Sequence, residues 1–170
     1  MSILYKLLLK LFRIGYPLYW KAKYKEYRGQ YNIDNTFKFN GTNIFFYGKG
    51  EIKCGFESYI GAYSTIQAIV GNSVTIGNYC MISHNVRIYT NTMVPDQDFT
   101  QRPLKKKNGD VVIGNGVWIG ANVFINPGIV IGDNSIIGAN SVVTKDIDSY
   151  AIYAGVPAKL LRFKNVGDES

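Results

Sequence analysis

The chain has 170 residues, 46% hydrophobic and 18% charged, which suits one globular domain with a real core and excludes a disordered chain or two full domains. A net charge of +7 favours anionic partners: phosphates, a membrane surface or nucleic acid. Eighteen glycines point to a fold made of turns, and Cys54 and Cys80 read as buried thiols in a reducing cytosol rather than a disulfide.

Residues 1–30 differ from the rest. Ile3, Leu4, Leu7, Leu8, Leu11 and Phe12 share one helical stripe, with Lys6, Lys10 and Arg13 on the other side. Lys21, Lys23, Lys25 and Arg28 follow, interleaved with Tyr16, Tyr19, Trp20, Tyr24 and Tyr27, and Glu26 is the one acid. The apolar run is too short and too charged to span a bilayer, and no signal-type cleavage site follows it. Residues 2–28 are predicted as a basic amphipathic helix with two open uses. One is peripheral contact with an anionic membrane surface; the other is covering the open end of a repetitive fold. The basic residues lead into no nucleic-acid reading motif, so nucleic acid is not an expected partner.

From Ile44 a six-residue spacing of aliphatic residues begins imperfectly. Ile60 and Ile66 fit; the register then slips by two and resumes at Val70, Ile76, Ile82 and Ile88. Ser58, Ser64, Val74, Cys80 and Val86 stand two places before their aliphatic partners. Residues 89–110 break the pattern with Pro95, Pro103 and Gly109 and are predicted as an excursion, the kind of long loop that carries function. Within it Lys105, Lys106 and Lys107 are either a solvated face or a hold for an anionic substrate.

The spacing then becomes strict. Ile113, Ile119, Ile125, Ile131, Ile137 and Val143 recur every six residues, preceded two places earlier by Val111, Val117, Val123, Ile129, Ser135 and Ser141. Gly114, Gly120, Gly132 and Gly138 follow four of them. A helix would place apolar residues every 3.6 positions, and a long strand would alternate without a break. Three residues of alternation and then a turn, at fixed length, predict a parallel β-solenoid over residues 31–152. Beyond it, 153–170 is predicted as a short cap, with Pro157 ending any strand, a terminal helix or cap from Ala158, and Asn165–Ser170 frayed.

The hexads, the loop after Ile88, and the run VWIGANVFINPGIVIGDNSIIGANSVVTKDI followed by AGVPAKLLR resemble the hexapeptide-repeat acyltransferases. The resemblance spans residues 44–164 and is nearest to the galactoside, maltose and polysaccharide O-acetyltransferase branch. It implies a left-handed β-helix of triangular section, an all-β solenoid with three hexads per coil. It also implies a homotrimer with acetyl-coenzyme A bound between subunits. The handedness comes from the resemblance alone, because the usual crossover rule would give a right-handed coil.

Transfer of an acetyl group from a thioester to a sugar hydroxyl needs a base for the hydroxyl proton, and a histidine with its ordinary pKa of about 6.5 suits neutral pH. The chain has one histidine, His84. In galactoside-type relatives the base lies in the excursion, at the place Met93 occupies here. His84 instead follows Ile82 by two and precedes Asn85, a spacing similar to that of the lipid A and nucleotide-amino-sugar acyltransferases. The plain reading of His84 is a polar residue in a turn. As a base it wants an acceptor for its second nitrogen, with Asp96, Asp98, Glu57 or a backbone carbonyl open.

The resemblance also assigns cofactor contacts: Ala121 and Ala139 along the pantetheine arm, Thr144 and Lys145 near its end, Lys159 and Arg162 at the nucleotide phosphates. Ordinary turn packing and a solvated tail are the bland readings of the same residues. Trp118 is expected at a subunit contact, and Tyr89, Asn91, Asp96 and Arg102 are loop candidates for the acceptor, with Asn85 beside the base. The expectation is an acetyl-CoA-dependent O-acetyltransferase of a cell-surface polysaccharide or its precursor, in the cytoplasm or peripheral at the inner membrane face. N-acetylation of a nucleotide-linked amino sugar is the nearer alternative, and a non-catalytic trimeric homologue is the alternative of another class. The β-helical carbonic anhydrases, which hold a metal with three histidines, do not fit a chain with one, and no metal is expected.

Overall fold

The computed structural model describes residues 3–165. Of the tail predicted to fray, only Asn165 falls within them.

Strands of two to four residues bury too little to stand alone, so each stacks on its copy one coil away. The first coil is β1 (Asn32–Ile33), β2 (Lys38–Asn40) and β3 (Phe45–Tyr47). The second is β4 (Glu51–Cys54), β5 (Tyr59–Gly61) and β6 (Thr65–Gln67), and the third is β7 (Ser73–Ile76), β8 (Met81–Ile82) and β9 (Arg87–Tyr89). An antiparallel hairpin, β10 (Asn91–Met93) and β11 (Lys106–Asn108), then leaves the coil. The fourth coil is β12 (Val111–Ile113), β13 (Trp118–Ile119) and β14 (Phe124–Ile125). The fifth is β15 (Val130–Ile131), β16 (Ile136–Ile137) and β17 (Val142–Val143), and β18 (Ala151–Ala154) and β19 (Lys159–Phe163) close the chain.

The strands assemble into three parallel faces. The first is β1-β4-β7-β12-β15 and the third is β3-β6-β9-β14-β17. The second is β2-β5-β8-β13-β16-β18, with β19 added antiparallel at its edge. Together they form a left-handed parallel β-helix of about five coils.

Register follows the aliphatic ladder. Ile60, Ile82, Ile119 and Ile137 pair in one column of the second face, and Ile66, Ile88, Ile125 and Val143 in one column of the third. All eight are at most 1% exposed, so each contributes about 1.5–3 kcal/mol of apolar burial. Inward Ser58 is tied to the backbone: its Oγ donates to Gly77 O at 2.8 Å and accepts from Cys80 N at 2.8 Å. Cys54 and Cys80 are free buried thiols, and burial pushes both pKa values up.

Val70 departs from its expected inward slot: it is 70% exposed, and buried Ala68 takes the slot after β6. The cause is a longer turn, since Ile66 and Val74 lie eight residues apart where Ile125 and Ile129, at the same corner, lie four apart. Beyond Pro157 the described residues form no helix. It returns as β19, pairing Ile152 with Arg162 and Ala154 with Lys159.

Helix α1 (Ile3–Gln30) divides in two. Its second half covers the open first coil, with Trp20 and Tyr27 buried. Trp20 meets Phe45 edge-on at 5.1 Å, Tyr24 stacks on Phe39 at 4.3 Å, and Tyr27 stacks on Phe46 at 5.4 Å. This aromatic plug desolvates the Tyr24 hydroxyl, whose pKa is pushed up to about 12. In the first turns Ile3, Leu4, Leu7, Leu8, Leu11 and Phe12 are 52–88% exposed.

Candidate active site

Counting along the paired strands from Ile60, Ile82, Ile119 and Ile137 brings Ala62, His84, Ala121 and Ala139 to the same point, two residues on, in four successive coils. They form one column at the corner between the second and third faces. Gly41 stands at its foot, where an added Cβ would lie 2.7 Å from that of Ala62. His84 O accepts from Asn122 N at 3.0 Å, and Ala121 O accepts from Asn140 N at 2.8 Å, which fixes the stacking. The imidazole is exposed at the surface of this column.

The next residue at each of these four levels turns the corner with positive φ: Tyr63 at 64°, Asn85 at 57°, Asn122 at 60° and Asn140 at 59°, three of them asparagines. Asparagine tolerates this region better than other residues with a Cβ. The side chains also form a ladder, Asn85 Nδ2 donating to Asn122 Oδ1 at 2.8 Å and Asn122 Nδ2 to Asn140 Oδ1 at 2.9 Å. Asn85 therefore does structural work in addition to flanking His84.

On the other flank runs a strip of small residues, Gly61, Ser83, Gly120 and Gly138, one level each. A Cβ on Gly120 would lie 2.5 Å from Ala139 N, and one on Gly61 would lie 2.8 Å from His84 Nδ1. Coil stacking thus forbids side chains at the three glycines and leaves backbone open beside the imidazole. Sequence reading missed this strip. Ala121 and Ala139 are 18 residues apart, but His84 and Ala121 are 37 apart because the excursion intervenes. Removing residues 91–109 before aligning the hexads would have placed His84 in the alanine column.

Other candidate residues stand elsewhere. Thr144 and Lys145 lie at the next corner, between the third and first faces, both exposed. The excursion leaves from that same corner, where Gly109 N donates to Thr90 O at 3.0 Å and closes its base. Tyr89 faces out from β9 with its ring 5.4 Å from Phe124, and Asn91 pairs with Asn108. Asp96 is exposed, and Arg102 Nη1 donates to the carbonyls of Phe99 and Gln101, both at 2.7 Å. Among the described residues no hydrogen bond or ring contact joins these residues to His84.

Of the acceptors expected for the imidazole, Asp98 is already engaged. Asp98 takes the amide and hydroxyl of Thr100, which hold its carboxyl below the usual carboxylate range, and Glu57 lends its amide to Thr36 Oγ1. Lys159 sits beside Ala154 at the upper end of the second face, near the His84 column, whereas Arg162 pairs with Ile152 and turns its Nη1 to Phe163 O at 3.1 Å. Trp118 stacks between Met81 and Ile136 on the outside of the second face, and is 47% exposed. Among the described residues no group of three His, Cys, Asp or Glu is placed to hold a metal.

The corner thus sets one imidazole beside an open backbone strip and stacked alanines on a β-helix of hexad repeats. Residues 110–145 match the bacterial transferase hexapeptide family, six repeats. A probable macrolide acetyltransferase from Lysinibacillus sphaericus is 40% identical over 120 residues, 59% of this chain and 64% of that one. A galactoside acetyltransferase solved in complex with coenzyme A is 36% identical, with a TM-score of 0.63 over 75% of this chain and 65% of that one. A maltose O-acetyltransferase from Clostridium difficile 630 is 29% identical, with a TM-score of 0.63 over 80% of this chain and 71% of that one. The chain spans just under two thirds of the first two relatives. By repeat and by fold the chain resembles the hexapeptide-repeat acyltransferases.

Proposed function

We propose that the protein is an acetyl-CoA-dependent acetyltransferase that moves the acetyl group onto a sugar hydroxyl of a cell-surface polysaccharide or its precursor. The observation that carries this reading is the column itself: His84, Ala121 and Ala139 occupy one corner, one above the other. The pantetheine arm lies along the backbone strip past Ala121 and Ala139, which brings the thioester down toward His84. The imidazole takes the hydroxyl proton as the oxygen attacks the thioester carbonyl; the C–S bond breaks, and coenzyme A leaves as the thiol. Holding both reactants at one corner supplies much of the remaining acceleration. Lys159, at the upper end of the same face, meets the nucleotide phosphates, with Arg162 on the same strand.

The chain works as a homotrimer. The outward stack of Met81, Trp118 and Ile136 needs a cover, and a second copy supplies it. Its excursion, with Asn91, Asp96 and Arg102, and its Thr144 and Lys145 then face the His84 corner that they cannot reach within their own chain. N-acetylation of a nucleotide-linked amino sugar is the second reading, favoured by the two-residue step from Ile82 to His84.

The test is release of free thiol from acetyl-CoA with a panel of acceptors: simple hexosides, a nucleotide-linked amino sugar and a macrolide. Turnover on hexosides supports the main reading; turnover on the amino sugar alone replaces it with the second. His84→Ala is expected to lower turnover by about 10²–10⁴-fold with the oligomer intact. Unchanged turnover in that variant removes His84 as the base, and absence of coenzyme A binding by the wild type removes the enzyme reading.

A further inference from the structure

Where α1 crosses the end of the solenoid decides what its free half can reach. Tyr24 Oη donates to Gly41 O at 2.8 Å, and Asn43 Nδ2 donates to Tyr16 Oη at 2.6 Å. Gly41 is the foot of the His84 column, so the helix leaves the body beneath the corner that carries the imidazole. The described residues before Tyr16 continue outward from the end of the solenoid, about 20 Å of helix at about 1.5 Å per residue.

That arm has two kinds of surface. Leu4, Leu7, Leu11, Ile14 and Leu18 recur at steps of three and four. Leu11 and Leu18 each lie nine residues, about two and a half turns, before Trp20 and Tyr27, so this stripe faces away from the plugged end. All five are 52–65% exposed. Lys6, Lys10 and Arg13 form a separate basic stripe beside it. Where the arm meets the body the apolar track widens into a cleft of about 690 Å³ lined by Leu18, Ala22 and Phe37, with Lys21, Lys25 and Lys38 at its rim.

Charge identifies the occupant. Helix α1 holds seven basic residues and one acid, Glu26, which is already paired with Lys23 at 2.9 Å. It therefore accounts for six of the chain's net +7, and the solenoid is almost neutral. A partner recognised by apolar area alone, such as another copy of this chain, would not call for that concentration of one sign. No helix among the described residues is long and apolar enough to cross a membrane.

We propose that α1 docks the protein on an anionic lipid bilayer, with the leucine stripe in the headgroup boundary and Lys6, Lys10 and Arg13 against the lipid phosphates. His84 stands two coils above Gly41, about 10 Å at the usual strand spacing. Docking therefore sets the imidazole close over the membrane, and the acceptor is a saccharide carried on a membrane lipid. The docking stands by itself; the nature of the acceptor rests on the acetyltransferase reading.

The test is co-sedimentation of the full chain with vesicles of phosphatidylcholine alone and of phosphatidylcholine mixed equally with phosphatidylglycerol. Three free cations predict binding stronger by on the order of a hundredfold on the anionic vesicles. Leu7→Glu with Leu11→Glu, both at exposed positions, is expected to abolish sedimentation while thiol release with a soluble hexoside stays at the wild-type level. His84→Ala should sediment like wild type, so a failed enzyme reading leaves this measurement intact. The proposal is overturned if wild type stays in the supernatant with anionic vesicles or if the double variant sediments equally. It is also overturned if the double variant dissociates the oligomer, because the stripe would then cover a second copy.

Discussion

The two corners that bound the third face are built on opposite rules. At the His84 corner every coil repeats the same small vocabulary: Gly41, Ala62, His84, Ala121 and Ala139 in the column, with Asn85, Asn122 and Asn140 beside the last three. At the next corner no two coils agree. Ala68 is followed by the lengthened turn through Val70 and Gly71, Thr90 by the excursion, Pro127 by Gly128, and Lys145 by Asp146. A corner that must stack on its neighbours keeps its residues small and its backbone fixed; a corner released from stacking accepts insertions. The first can hold reacting atoms to a fraction of an ångström, and the second can vary to suit an acceptor. On the proposed trimer, a site that needs both draws them from two chains.

The comparison breaks first at Ala139. If the stacked corner is the pantetheine groove, Ala139→Leu fills it, and the KM for acetyl-CoA should rise by about tenfold or more, at the scale of added methylenes in a fitted pocket. Ala139 is exposed, so the fold should not change. Thr144→Leu, at the varied corner, should raise it less. Equal effects from the two, in steady-state kinetics, would deny the stacked corner its special role.

The next test concerns rigidity. Asn122→Ala removes the middle rung of the ladder and puts an alanine at φ 60°. The expected loss is about 2 kcal/mol, from the left-handed backbone and the two side-chain hydrogen bonds together. Asn122→Gly keeps the backbone free and should lose about half as much. Chemical denaturation reads both, and matching wild-type stability in both variants would mean that the ladder holds nothing.

These tests also mark how far the sequence could be read. The columns through Ile119, Ile125 and Ile131 were legible because hexad spacing and inward packing are the same constraint. Val70 was misread because an aliphatic residue at the right spacing looks the same whether its turn is short or long. His84 was legible as a base candidate, but its place under Ala121 was not, because an excursion breaks the count between coils. The two halves of α1 read as one pattern, since leucine and tryptophan are both apolar; the aromatic residues found a plug and the leucines did not. The return of β19 was hidden because Gly155 and Pro157 announce a stop and carry no sign of a further strand.

The smallest effect belongs to the root of the excursion, and its sign is fixed. Asp110 Oδ1 accepts from Ser73 N at 2.7 Å and Asn72 Nδ2 at 3.0 Å, tying the returning chain to the lengthened turn. The backbone hydrogen bond from Ser73 is the main reason its carboxyl sits below its ordinary value, with Asn72 adding to it. A depressed carboxylate favours the folded form above its unfolded pKa, and the contribution fades as pH falls through the folded one. Asp110→Asn keeps an oxygen for the same donors but loses the charge that strengthens those bonds. The variant should melt a few degrees below wild type at neutral pH, and the gap should close as both are titrated below the carboxylate range. A gap that persists in acid would mean that Asp110 acts through shape alone. The varied corner would then be held by packing, as the stacked one is, and the contrast between them would reduce to the length of their turns.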